Sequence, residues 1–83
     1  MINGTLANLA PATPAVVESL DLEFALRERL FALGLRVGRT ISVVRRFGNH
    51  GPLQVRIDRT DVILRRAEAA RIGVGPPAQE RPG

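Results

Sequence analysis

The chain has 83 residues, enough for one small domain with a modest core and too few for separate cofactor and substrate halves. With 45% apolar and 24% charged residues its composition is that of a folded globular module, and the lack of any cysteine excludes disulfides, thiolate metal centres and thiol catalysis. All twelve basic residues are arginine and they are unevenly spread: residues 1–35 hold two arginines against four acids, a net −2, whereas residues 36–75 hold nine against three, a net +6. A basic second half attracts anionic partners, although lysine-free composition also fits a GC-rich genome.

In chain order, residues 1–14 read as a lead-in carrying Leu6 and Leu9, with Pro11 and Pro14 preventing a long helix. The β-branched run from Ala15 to Leu20 predicts a first strand. Asp21 then stands at an N-cap position, with Glu23 placing negative charge in the first turn, where the helix dipole favours it. Leu22, Leu26, Leu30 and Leu33 follow at spacings of four, four and three and form one apolar stripe; Phe24 and Phe31 are expected to add to the core contacts of the same helix. Gly34 supplies the left-handed residue that ends such a helix, Leu35 falls where it can clasp Leu30, and Gly38 marks the next turn.

Beyond Gly38 the apolar period changes to two. Ile41 to Phe47, Leu53 to Ile57 and Val62 to Arg65 predict three strands, linked by the turn formers Gly48–Pro52 and by Arg59-Thr60-Asp61. Residues 67–71 read as a single helical turn and Ile72-Gly73-Val74 as a last strand, while 76–83 has nothing to pack and is expected to be a disordered tail. The expected architecture is mostly β: a closed barrel of about five strands in a domain spanning 1–75, with one helix after the first strand and a helical turn before the last.

Catalytic chemistry finds little support in these residues. A nucleophile needs a base and an orienting group, yet the single histidine, His50, lies in a glycine-rich turn and neither a nucleophile elbow nor a phosphate-binding loop occurs. One histidine and scattered acids do not make a metal site, so no catalytic residue, metal or cofactor is assigned. Nucleic acid is the compositional alternative, through Arg39, Arg45, Arg46, Arg56, Arg59, Arg65 and Arg66, but single-strand binders add aromatic stacking platforms and this chain has three phenylalanines, no tyrosine and no tryptophan. Those arginines otherwise form a solvated outer face of the sheet. No stretch approaches the roughly 18–20 apolar residues of a bilayer-spanning helix. The opening Met1-Ile2-Asn3-Gly4-Thr5 lacks the basic start of a secretory signal, so the expected compartment is the cytoplasm.

The run from Arg29 to Gly38, Arg-Leu-Phe-Ala-Leu-Gly-Leu-Arg-Val-Gly, resembles the R-L-x-x-L-G-L-x-x-G signature of the FeoA family, ferrous iron transport protein A. Its core positions here are Leu30, Leu33, Gly34, Leu35 and Gly38. Thr5 to Leu9 is similar to the family's opening L-x-x-L, Pro52 to Val55 to its P-x-x-V strand, and Leu64 to Ala69 to its L-R-R-x-E-A segment. The chain departs from the family pattern at Ala12, where glycine is common after the first proline, at Val37, where proline is common, and in the 47–52 loop, which lacks an aspartate. The resemblance implies an SH3-like β-barrel with a helical insertion, and a cytoplasmic accessory that binds the FeoB transporter, a membrane protein for ferrous iron, without catalysis of its own. The expected contact surface is Arg45, Arg46, Phe47, His50 and Pro52. The readings that stay open beside it are a basic barrel binding RNA or DNA, a regulatory barrel docking on a metal-dependent repressor, and self-association into a homo-oligomer.

Overall fold

A computed structural model describes residues 4–77. Six strands form one antiparallel sheet: β1 (Gly4–Thr5), β2 (Ala15–Leu20), β3 (Thr40–Arg46), β4 (Leu53–Ile57), β5 (Thr60–Leu64) and β6 (Ile72–Gly75). Their order is β1-β6-β2-β3-β4-β5. Two helices are inserted, α1 (Phe24–Ala32) between β2 and β3 and α2 (Arg66–Ala69) between β5 and β6, and a 3-10 turn covers Leu6–Asn8.

This corrects the closed five-stranded barrel. The sheet has a sixth strand at its start, so α1 follows the second strand, and the terminal strands β1 and β5 do not pair with each other. Two residues of β1 make too short a ladder to reach around to β5 before the chain turns into the 3-10 segment. Side chains from outside the sheet cover the core instead: Leu6 and Leu9 of the lead-in and Leu30 and Leu35 of the helical insertion are all buried with Val17, Ile41, Val43, Leu53, Val55, Ile57, Leu64, Ile72 and Val74. The lead-in is therefore part of the packed domain. At the other end Pro77 is buried, so packing runs past residue 75; the remainder of the expected tail, 78–83, lies outside the described residues, as does Met1-Ile2-Asn3.

Helix α1 begins two residues later than an N-cap at Asp21 would place it. The Asp21 N–H donates to Arg71 O at 3.0 Å, continuing the ladder that pairs Leu20 with Ile72, so Asp21 is held extended and Glu23 occupies the N-cap without a side-chain cap bond. The other end is a Schellman motif. Gly34 has φ 105°, its N–H donates to Phe31 O at 3.0 Å, and the Leu35 N–H donates to Leu30 O at 3.0 Å. Leu30 and Leu35 are both buried, Leu22 and Leu26 are half-buried against the core, and Leu33 at the C-cap is left 38% exposed. Phe24 and Phe31 do not join the core. At 100° per residue they fall opposite Leu22, Leu26 and Leu30, and they are 76% and 48% exposed.

The β4–β5 connection is tighter than the expected three-residue turn. Ile57 pairs with Thr60, leaving Asp58 and Arg59 as a two-residue hairpin loop with Asp58 at φ 55°. Asp61 consequently sits in the ladder opposite Arg56. Val44 forms a bulge between the Val43–Val55 and Arg45–Gln54 pairs, which resets the alternation of β3.

Candidate functional site

The β3–β4 connection gathers the residues expected to form a contact surface. The Phe47 N–H donates to Pro52 O at 2.9 Å, closing a loop over residues 47–52. Gly48 takes φ 81°, and a Cβ on Gly51 would collide with the Phe47 carbonyl oxygen, so both glycines are demanded by the loop's shape. Phe47 is 43% exposed and His50 and Pro52 face solvent. The Arg45 guanidinium lies 5.9 Å from the Phe47 ring centroid, within range of a cation–π contact.

Arg45 and Arg46 part company at this point. Past the Val44 bulge Arg45 pairs with Gln54 and stays outside, whereas Arg46 pairs with buried Leu53 and turns toward the core side. There its Nη2 donates to the Leu9 carbonyl at 2.6 Å, tying β3 to the lead-in. Arg46 thus performs a structural task, and Arg45, Phe47, His50 and Pro52 are the expected contact residues that stay exposed at the loop. Of the signature residues, Leu30, Gly34 and Leu35 build the helix ending, and Gly38 at φ 96° turns the chain into β3 while its N–H donates to Val17 O at 2.8 Å.

The arginines of the second half divide by partner. Arg56 grips Asp61 with two bonds, Nε to Oδ1 at 2.7 Å and Nη2 to Oδ2 at 2.9 Å, and Gln54 adds a third at 2.8 Å. The Arg56 hydrogen bond, and then that of Gln54, holds the Asp61 carboxyl below the ordinary aspartate range, and the same contact raises Arg56. Arg39 pairs with Asp58, and Arg71 lies 3.5 Å from Asp21. Arg36 covers the Phe31 ring at 4.4 Å. Arg29, Arg59, Arg65 and Arg66 have no carboxylate partner among the described residues.

Spacing could have found one surface that the core reading of the phenylalanines missed. Phe24 and Phe31 are seven residues apart, hence on one helix face, and that face is opposite the leucine stripe. Among the described residues no group of three or more histidine or acidic side chains is placed to hold a metal ion, and no helix is long and apolar enough to cross a membrane.

Compared with known proteins, the FeoA domain model matches residues 4–76, nearly the whole described chain. The chain belongs to the FeoA family. Solved FeoA structures superpose closely. The solution structure of FeoA from Chlorobium tepidum is 31% identical with a TM-score of 0.79, covering 93% of this chain and 84% of that one. FeoA from Stenotrophomonas maltophilia, crystallised with zinc and described as an SH3 domain protein and a candidate activating factor for ferrous iron transport, is 37% identical with a TM-score of 0.73, covering 86% and 88%. Iron(II) transport protein A from Clostridium thermocellum is 29% identical with a TM-score of 0.77; 87% of this chain is covered, but it spans only 44% of that longer chain. No curated protein matches. FeoA membership gives the open six-stranded sheet its fold description, SH3-like, and links the protein to ferrous iron transport.

The family pattern also explains a strained residue. FeoA proteins commonly carry glycine after the first proline of the lead-in, and here Ala12 takes that place with φ 66°. Its N–H donates to Val43 O at 2.8 Å, so the left-handed turn is fixed by the sheet even though the side chain disfavours it.

Proposed function

We propose that this FeoA-family protein is a cytoplasmic accessory of ferrous iron uptake that works by binding the cytoplasmic part of a FeoB-type transporter, with no reaction of its own. The observation that carries the reading is the FeoA match over residues 4–76, joined to a surface whose exposed features are a half-exposed phenylalanine and Arg45, which has no carboxylate partner among the described residues. An aromatic with an arginine beside it is the combination that anchors protein interfaces, because the ring supplies area and the guanidinium a planar fork for carboxylates. On this reading Arg45, Phe47, His50 and Pro52 form part of the contact, and Arg46 supports them through Leu9.

The test is a pull-down with the cytoplasmic part of FeoB at moderate salt, in the apo, GDP and GTP states. Wild-type protein is expected to be retained and Phe47→Ala to be retained at least several-fold less. Absence of binding in every nucleotide state refutes the partner. A basic barrel serving RNA or DNA instead predicts affinity that falls steeply with added salt, which a filter-binding titration at two salt concentrations reads directly.

A further inference from the structure

We infer that the open edge of β5 is a second docking surface, built to take an extended acidic segment of a partner protein as a seventh strand. This deepens the binding-module reading above and rests on it.

Three observations converge on the edge. First, among the described residues β5 pairs only with β4, so its outer N–H and C=O groups face no strand. Second, a groove of about 500 Å³ runs beside it, with Leu26 and Ala25 of α1 on one wall and Ile63 of β5, 55% exposed, on the other. Helix α1 follows β5 in the opposite direction. Its far end brings Gly34 against the β4–β5 turn, where an added Cβ would stand 3.5 Å from Ile57 Cγ2, while Leu22 and Glu23 at its start share a smaller cleft with Ala67 and Arg71 of the α2 segment. Third, four of the arginines without a carboxylate partner among the described residues surround this edge: Arg59 precedes β5, Arg65 and Arg66 follow it, and Arg29 faces it across the groove.

Charge selects the occupant. The groove itself carries Glu23 and Glu68 against Arg29 and Arg65, while Asp61 is held by Arg56 and Gln54; Arg59 and Arg66 at the two ends of β5 then leave the edge net positive. A second copy of the chain pairing antiparallel over the whole of β5, centred on Val62, would set Arg59 against Arg65, and like charges opposite each other destabilise a ladder. An acidic strand meets the opposite situation: main-chain bonds to β5, carboxylates toward the flanking arginines, and apolar side chains toward Ile63 and Leu26. The edge also runs toward the first surface, because Leu64 pairs with Leu53, so β5 ends at the end of β4 that follows the 47–52 loop.

The experiment is an amide NMR titration of the full chain with an alternating Asp-Val octapeptide, capped at both ends, at moderate salt. Shifts are expected at Thr60–Leu64 and on the α1 wall, with slowed hydrogen exchange along the β5 edge. The same peptide N-methylated on alternate residues, unable to form the ladder, and the Ile63→Glu variant are each expected to bind roughly tenfold more weakly or worse. If Ile63→Glu does not fold, the N-methylated peptide still decides the matter. Equal binding of the N-methylated peptide or of an alternating Lys-Val octapeptide, shifts confined to residues 47–52, tighter binding of an oligouridylate at the same edge, or no binding at millimolar peptide would each overturn the inference. FeoB retention with a failed titration removes the edge and leaves the transporter partner, and the reverse result removes the transporter and leaves the edge.

Discussion

Strands β4 and β5 have five residues each and are joined by a two-residue turn, yet they behave as different kinds of object. β4 lies between β3 and β5, and Leu53, Val55 and Ile57 are all buried on its inner face. β5 has a neighbour on one side only. Leu64 alone is fully buried, Val62 is half-buried, and Ile63 turns its side chain out beside a groove. The apolar content of the two is similar, so hydrophobicity does not separate them. A strand with two neighbours is committed to the core on its inner face and to the ladder on both edges, whereas an end strand keeps one edge for something else. In this protein the end strand is also flanked by Arg59, Arg65 and Arg66, which have no carboxylate partner among the described residues, and that is why the proposed docking edge falls on β5 and not on β4.

The largest expected effect tests the interior strand. Ile57→Ala removes a fully buried side chain and should cost about 2–5 kcal/mol in chemical denaturation, whereas Ile63→Ala should stay within about 0.5 kcal/mol. Similar losses at both sites would abolish the contrast. Next comes the helix ending that leans on the β4–β5 turn. Gly34→Val places a β-branched residue at φ 105° and should lower stability by at least about 1 kcal/mol; an unchanged melting temperature would mean that the left-handed cap is dispensable. Ala12→Gly should do the opposite, raising stability by up to about 1 kcal/mol, since it restores the residue type that φ 66° favours. A loss of stability there would show that the methyl group or the stiffer unfolded chain matters more than the strain.

The smallest effect concerns the pair that ties β5 to β4. Because hydrogen bonding to Arg56 and Gln54 lowers the Asp61 pKa in the folded state, the contribution of this group is present above the ordinary aspartate value near 4 and lost as the pH falls through the lowered folded value. Asp61→Asn should therefore leave stability at neutral pH slightly reduced and flatten its decline in acid. The effect is small because the pair is solvent-accessible. An unaltered acid profile would show that the pair contributes nothing to holding the edge strand in place.

Much of this architecture was legible along the chain. The change of apolar period at Gly38, the alternation from Leu53 to Ile57 and the Leu30-to-Leu35 ending locate α1, β3 and β4 to within a residue or two, because each rests on interactions between residues near in sequence. The misreadings share a cause. Asp21 is a good cap in isolation, but the Arg71 carbonyl claims its N–H, and Asp61 looks like a turn former until Arg56 across the ladder holds it in β5. Leu6 and Leu9 had no periodic neighbours to announce them, though they are as buried as the sheet. At the candidate surface the sequence placed Arg45 and Arg46 side by side as equals. Only the Val44 bulge, which takes a partner strand to define, sends Arg46 to the Leu9 carbonyl and leaves Arg45 outside with Phe47.

Local spacing and glycine placement determined the helix, its ending, the strand periods and the family signature, since these depend on the chain's own short-range sterics and on which positions must be apolar. Which strand became an edge, which arginines found acids and which were left free was decided by tertiary pairing, because partner choice depends on distances between segments that no local pattern encodes.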